Sequence, residues 1–219
     1  MCGIVGIWEF GRSNGSVDIS LLERMRDTMV HRGPNDAGAR LFDKGRGGFG
    51  FRRLSIIDLS PAGNQPMKGC EKRDVLLAFN GEIYNHATLR EGLEKRGHKY
   101  HSKTDSETII HLYEEHGAHM VNEIEGDFGI AIWDPENERL SLYRDRLGVK
   151  PLYYMIADGR IIFASEIKAI VEHPAVERDI DNDSLADYLT FLTTPASRTL
   201  FKGINKLSAG HRLVIGRDG

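Results

Sequence analysis

Between Phe128 and Ser165 the sequence carries four strand-length apolar segments in succession: FGIAIWD, RLSLYRD, LYYMIA and RIIFAS. Only short polar stretches separate them, and the last two meet at Asp158-Gly159, a strong hairpin signal. Two further strands are expected at the start of the chain and at 74–79. GIVGIWE (3–9) and DVLLAF (74–79) are continuous apolar runs, as in strands buried on both faces. Residues 39–58 read as two more strands around the turn KGRGG, the second running into RRLSIID. With 219 residues, the chain is long enough to bury a core holding roughly 70% of its unfolded surface.

Helical periodicity is confined to separate segments. Asp18 to Val30 places Leu21, Leu22, Met25 and Met29 on one face. Residues 86–96 turn Leu89 and Leu93 inward and end at Gly97. The next helix opens on Thr104-Asp105-Ser106-Glu107, which has the form of a capping box. A last helix from about 183 to 192 spaces Leu185, Tyr188, Leu189 and Leu192 for burial. HRGPNDAG (31–38) and SPAGNQPM (60–67) read as loops. Hairpins with a few separate helices predict an α+β fold with antiparallel sheets and helices on their faces.

Composition removes several function classes. Lys+Arg is 29 and Asp+Glu 32, a net charge of -3, which argues against nucleic acid or an anionic membrane as partner. No apolar run reaches the ~18–20 residues of a membrane helix, and MCGIVGIWEF lacks the basic start of a signal peptide. A cytoplasmic protein is expected, so the sequons at Asn14 and Asn182 are chance matches. The two cysteines, Cys2 and Cys70, do not make a disulfide framework. Gly45-x-Gly47-x-x-Gly50 matches a dinucleotide fingerprint only formally, because no helix follows it. The nine histidines show no metal-ligand spacing, and no metal is expected.

Cys2 is the most informative single residue. Removal of an initiator Met exposes its α-amine, which titrates near ~7.7–8.0 beside a thiol near ~8.5. One residue then supplies both nucleophile and base. Its other reading is a buried apolar cysteine at a strand start. An acyl-transfer nucleophile needs oxyanion donors. Asn80 and Gly81, at the end of DVLLAF, offer a side-chain amide and a backbone N–H that the missing Cβ leaves open to a ligand. An Asn-Gly turn is the alternative. Arg53 has the fork geometry to hold a carboxylate. Arg52 lies on the opposite face of the same strand, so only one of the two enters a given pocket. Asp105 and Glu82 are candidate partners for an amine. Asp105 also suits a purely structural place in a first helical turn.

Taken together, MCGIVGIWEF, HRGPNDAG, RRLSIIDLSPAGNQPM, FNGEIYN, SKTDSE, GDFGIAIWD, RDRLGVKPLYY, FASEIKAI and TLFKGINKLSAGHRL resemble glutamine-hydrolysing asparagine synthetases. They match the N-terminal glutaminase domain, a class II glutamine amidotransferase of the N-terminal-nucleophile hydrolase type, over essentially the whole chain. The resemblance implies a four-layer αββα sandwich of two antiparallel sheets. It implies a glutaminase domain over 1–195, with 196–219 as an extension toward an absent synthetase domain. It makes Cys2 the nucleophile and Asn80 and Gly81 the oxyanion hole. Arg53 would hold the carboxylate of L-glutamine and Glu82 and Asp105 its amino group, with main-chain groups near Ile56 and Ile57 completing the pocket. The pyrophosphate loop SGGxDS is absent, so ATP and Mg²⁺ would act only in that other domain. Family members are often homodimers. Acceptors other than aspartate and a non-catalytic binding module stay open. Two positions depart from the pattern: Phe51 stands where many relatives have His, and HRGPN has Asn35 in place of the acid.

Overall fold

The computed structural model describes residues 1–11, 15–69 and 73–219; Asn14 and Cys70 lie outside the described residues. Its strands are β1 (Gly3–Glu9), β2 (Asp36–Phe42), β3 (Gly47–Arg53), β4 (Met67–Lys68), β5 (Leu76–Ile83) and β6 (Gly126–Asp134), followed by β7 (Arg139–Arg144), β8 (Tyr153–Ala157), β9 (Arg160–Ala164), β10 (Asn205–Lys206) and β11 (Arg212–Ile215). The helices are α1 (Ile19–Asp27), α2 (His86–Lys95), α3 (Asp105–His116), α4 (Ile167–Ile170) and α5 (Asn182–Phe191). One sheet runs β10-β8-β9-β1-β3-β2 and the other β11-β7-β6-β5-β4. Every pairing between these strands is antiparallel.

The two sheets stack face to face. Ile4, Trp8, Phe49 and Phe51 from the first meet Leu76, Ala78, Ala131, Trp133 and Leu142 from the second. The Trp8 and Trp133 rings lie 4.9 Å apart, and Phe42 stacks on Trp133 at 4.8 Å. On the outer face of the first sheet, Val5, Ile7 and Ile162 pack under Leu21, Leu22 and Met25 of α1 and Ala169 and Ile170 of α4. On the outer face of the second, Leu77, Phe79, Ile130 and Ile132 pack under Leu93 of α2 and Ile109, Ile110 and Tyr113 of α3. Four layers, α, β, β and α, follow. Both faces of the central strands are covered, which is why β1 and β5 are continuous apolar runs rather than alternating ones. Each large apolar side chain so buried contributes roughly 1.5–3 kcal/mol.

The hairpin at Asp158-Gly159 forms, with both residues at positive φ. Gly45-x-Gly47-x-x-Gly50 falls in the β2–β3 hairpin, as expected. Several expectations are corrected. The strand entering RRLSIID stops at Arg53, and 54–66 is a loop, because Arg53 anchors that segment as described below. Within 196–219, β10 adds an edge strand to one sheet and β11 to the other. The link between β7 and β8 crosses from one sheet to the other.

The capping box does not close. Thr104 makes no side-chain cap, and its hydroxyl pairs with Ser102 Oγ at 2.9 Å. Glu107 instead accepts from the His101 and Ser102 amides, 2.7 Å each, and from the Ser102 hydroxyl at 2.6 Å. Finally, α5 forms but its apolar stripe is uncovered. Tyr188, Leu189, Phe191 and Leu192 are exposed, because among the described residues no element packs over that face.

Candidate active site

At one end of the sandwich a cavity of about 250 Å³ opens between the two sheets. All eight residues singled out in the sequence line it: Cys2, Arg53, Ile56, Ile57, Asn80, Gly81, Glu82 and Asp105. Strand parity brings the first of these together. Ile4 and Trp8 face the space between the sheets, so Cys2, two residues before Ile4, faces it too and packs against that core. On β5, Leu76 and Ala78 face the same space, which aims Asn80 inward from the opposite sheet. On β3, Phe49 and Phe51 point inward and Arg53 follows them. Arg52 lies on the outer face, where its Nε donates to the Gly33 carbonyl at 3.0 Å. The choice between the two arginines is thereby made.

The Cys2 thiol is half-buried, and burial pushes its pKa up. The Leu54 backbone, the N-terminal ammonium and Arg53 pull it the other way. The Leu54 N–H donates to Sγ at 3.4 Å, a contact that strengthens when the sulfur is ionised. The Cys2 carbonyl accepts from Arg32 Nε at 2.8 Å, and Arg32 Nη1 donates to Glu166 Oε1 at 2.9 Å. Thus the loop HRGP and the start of FASEIKAI clamp the backbone of Cys2. Sequence reading passed over Arg32 and Glu166, although both lie inside quoted motifs. Met1 lines the mouth of the cavity and is itself exposed.

Asn80 is 1% exposed, and neither its Oδ1 nor its Nδ2 has a hydrogen-bond partner. An orphaned amide in a protein interior costs about 1–3 kcal/mol for each unsatisfied group, so it points to a ligand that satisfies it. Gly81 pairs with Phe128 in the β5–β6 register, yet Phe128 turns its own backbone groups toward Asp145. The Gly81 N–H therefore points to the other edge of β5. There its neighbours of the same parity are already taken: the Phe79 N–H by Gln65 Oε1 at 2.7 Å, and the Ile83 N–H by Asp105 Oδ2 at 2.9 Å. Gly81, between them, faces the cavity. The neighbouring strand also demands the missing side chain. An added Cβ would sit 2.2 Å from the Asp127 carbonyl and 2.8 Å from Phe128 Cα, so the glycine is required by the neighbouring strand.

Arg53 is buried and its donors are partly committed. Nη1 donates to the Ser60 carbonyl at 2.8 Å and to Asn64 Oδ1 at 2.6 Å, and Nη2 donates to the Asp58 carbonyl. Both Nη1 donors are used, which leaves the Nε–Nη2 side for a ligand. Asn64 is held in turn by Asp36 Oδ2 at 2.6 Å, and Asn35 Oδ1 accepts from Ser55 N at 3.0 Å. The departure at Asn35 thus serves the loop that carries Ile56 and Ile57, both of which are exposed. Phe51 is buried in the core beneath the cavity.

Gly63 closes that loop over the guanidinium; a Cβ there would lie 2.3 Å from Arg53 Nη2. Gly63→Ala is expected to raise KM for a carboxylate-bearing substrate about 10–100-fold, the worth of one charge-assisted hydrogen bond, with kcat little changed. Steady-state kinetics check this. Asp58 also anchors the loop, accepting from Ser60 N at 2.8 Å and Lys103 N at 2.9 Å. These bonds hold its carboxyl at about 2, against ~3.9 when unfolded. A depressed pKa stabilises the fold fully above ~4 and loses that stabilisation as pH falls through ~2. Urea unfolding between pH 5 and 2 should show a shallower acid limb for Asp58→Asn than for the parent.

Asp105 opens α3 and is buried; burial pushes its carboxyl up while the Ile83 N–H opposes the shift. Glu82 is exposed at the rim. Lys150, which sequence reading missed, adds a cation to the lining. Its loop is held from both sides. Arg144 donates to the carbonyls of Gly148, Lys150 and Leu207 at 2.7–2.9 Å. Asp145 accepts from the amides of Leu147, Val149 and Lys150 at 2.8–3.1 Å. Arg144 and Asp145 are thus both committed to backbone groups of this region.

The family model of the glutamine amidotransferase domain matches residues 1–219. Two asparagine synthetases [glutamine-hydrolyzing] of Bacillus subtilis, numbers 3 and 2, are 35% and 38% identical over 100% and 98% of this chain. The amidase chry2 of Gibberella zeae is 34% identical over 88% of it. The chain spans only 35%, 29% and 28% of these relatives' lengths, about a third. Among solved structures, the glutamine phosphoribosylpyrophosphate amidotransferase of B. subtilis superposes with a TM-score of 0.66 at 20% identity, covering 78% of this chain and 43% of that one. That likeness is one of fold. Matched from end to end, with the expected residues gathered around one cavity, the chain belongs to the glutamine amidotransferase domain family.

Proposed function

We propose that the cavity binds L-glutamine and that Cys2 hydrolyses its side-chain amide. The observation that carries this reading is the buried, unpartnered Asn80 amide, facing the Cys2 side of the sandwich beside the outward N–H of Gly81. The lining charges suit an amino acid. The α-carboxylate meets the Nε–Nη2 side of Arg53, and the ammonium meets Asp105 with Glu82 at the rim. A volume of about 250 Å³ lies below the ~300–1,000 Å³ of drug-sized sites, as a single amino acid requires.

The chemistry follows from one residue and two donors. Once Met1 is removed, the Cys2 α-amine takes the thiol proton. The thiolate attacks the glutamine Cδ, and the carbonyl oxygen becomes an oxyanion held by Asn80 Nδ2 and Gly81 N–H. The amine returns the proton to the leaving nitrogen, ammonia departs, and a γ-glutamyl thioester remains. Water, deprotonated by the same amine, then attacks and releases glutamate. In the full protein we assign the ammonia to ATP- and Mg²⁺-dependent amidation of aspartate in a second domain, working in the cytoplasm. What supports this is the similarity to asparagine synthetases. The similarity to the amidase chry2 favours a second reading, in which the same glutaminase half serves another acceptor.

The test is hydrolysis of L-glutamine by the purified chain without ATP, following glutamate and ammonia. Equal release of both, lost in Cys2→Ala, is the expected result. Release that persists in Cys2→Ala overturns the reading.

A further inference from the structure

Behind the second sheet, away from the cavity mouth, three side chains converge with no role in the reaction above. His98 follows α2, and His111 and Glu114 lie one turn apart on α3. All three side chains are fully buried. Their facing atoms form a triangle: His98 Nδ1 to His111 Nδ1 is 3.1 Å, His111 Nδ1 to Glu114 Oε2 is 3.2 Å, and His98 Nδ1 to Glu114 Oε2 is 3.5 Å. Two ligands of a tetrahedral zinc ion, each bonded at ~2.0–2.1 Å, stand ~3.3 Å apart. The triangle has the dimensions of one face of such a tetrahedron.

The far sides of the rings are also arranged as metal-bound imidazoles require. His98 Nε2 lies 2.8 Å from Glu115 Oε1, and His111 Nε2 faces Glu107 Oε1 at 3.8 Å. A carboxylate only accepts, so the His98 proton sits on Nε2 and its Nδ1 presents a lone pair to the centre. A carboxylate behind the imidazole is the usual outer partner of a zinc-bound histidine. The Tyr100 ring packs on His111 at 4.6 Å and fixes its orientation. A divalent cation at the centre would meet all three atoms at once, with the carboxylates of Glu107, Glu114 and Glu115 close by to balance its charge.

We propose that His98, His111 and Glu114 bind one structural Zn²⁺ ion, with a water or the second Glu114 oxygen as fourth ligand. Imidazole and carboxylate ligands in a tetrahedral frame suit zinc. The ion ties the segment after α2 to α3, whose first residue, Asp105, lines the cavity. Because the ligands are buried, metal uptake accompanies folding. This departs from the expectation of no metal, which rested on sequence spacing; the two histidines are thirteen residues apart and meet only through the α2–α3 packing.

The experiment uses the untagged full chain expressed with zinc supplementation. Elemental analysis should find one zinc per chain, and a chelator should lower Tm. Cobalt added to the chelated protein should give the intense visible bands of a tetrahedral site. His98→Gln should lose the metal, and Glu115→Gln, which removes the carboxylate behind His98 Nε2, should weaken zinc binding about 10–100-fold. Should His98→Gln fail to fold, the cobalt spectrum of the parent chain decides. No zinc in the purified parent, no effect of zinc on Tm and no cobalt bands would overturn the proposal, leaving a proton-bridged hydrogen-bond network.

Discussion

A chain that keeps Met1 hydrolyses glutamine about 10²–10⁴-fold more slowly than one beginning at Cys2, the range by which a positioned base contributes. With Met1 in place the Cys2 nitrogen is an amide and takes no proton. Burial raises the thiol pKa besides, so the unassisted thiol is little ionised near neutrality. Met1 also lines the cavity mouth and narrows access to the sulfur. Expression with an aminopeptidase inhibitor provides the comparison, with intact mass reporting the N-terminus. Equal rates for the two forms would mean that another group is the base. The processed form should gain activity with pH through the amine's titration near ~7.7–8.0, and the Met1 form should lack that limb.

Replacing Asn80 with Ala lowers kcat about 10²–10³-fold, the effect of removing one oxyanion donor. KM should change little, because the amide serves the charged intermediate more than the bound carboxamide. The fold should not suffer. The native amide already lacks partners in a buried setting, so its truncation removes an unsatisfied group rather than a contact. This joint outcome separates a catalytic Asn80 from a structural one. A structural Asn would lose stability on replacement, whereas here urea unfolding should show Asn80→Ala at least as stable as the parent. Asn80→Asp places a negative charge against the oxyanion and should be no better than Ala.

The parts of the fold legible in the sequence were those set by local rules. The strands around Asp158-Gly159 and the apolar runs of β1 and β5 follow from turn chemistry and burial on both faces. The helices α1, α2 and α3 follow from periodicity. Features set by long-range contacts were not legible. The loop after Arg53 leaves the sheet because its carbonyls at Asp58 and Ser60 are gathered by the guanidinium. No local pattern encodes that. The α5 stripe shows the limit of periodicity: Leu189 and Leu192 have the spacing of a buried face, but spacing does not name what covers it. Four-residue α4 is too short to carry a period.

The site divides the same way. Cys2, Asn80, Gly81, Arg53 and Asp105 were recognisable by chemical type; strand parity carries Cys2, Asn80 and Arg53 to one cavity, where the end of β5 and the start of α3 add Gly81 and Asp105. Arg32 and Lys150 were not recognisable, since each acts through a fold contact: one through the Cys2 carbonyl, the other through a loop clamped by Arg144 and Asp145. Gly81 answers to two constraints, of which sequence shows only the type of residue. Its missing Cβ relieves β6, and the exposure of its N–H follows from register.

The reaction proposed for this cavity turns on a bond between the Cys2 sulfur and the glutamine acyl carbon. Acid quenching of the processed chain during turnover, followed by peptide mass analysis, tests it most directly. A γ-glutamyl group is expected on the N-terminal Cys2 peptide, released by hydroxylamine and absent from Cys2→Ala. Sustained glutamate release with no adduct on that peptide, in a chain whose Cys2→Ala variant turns over equally well, would contradict it.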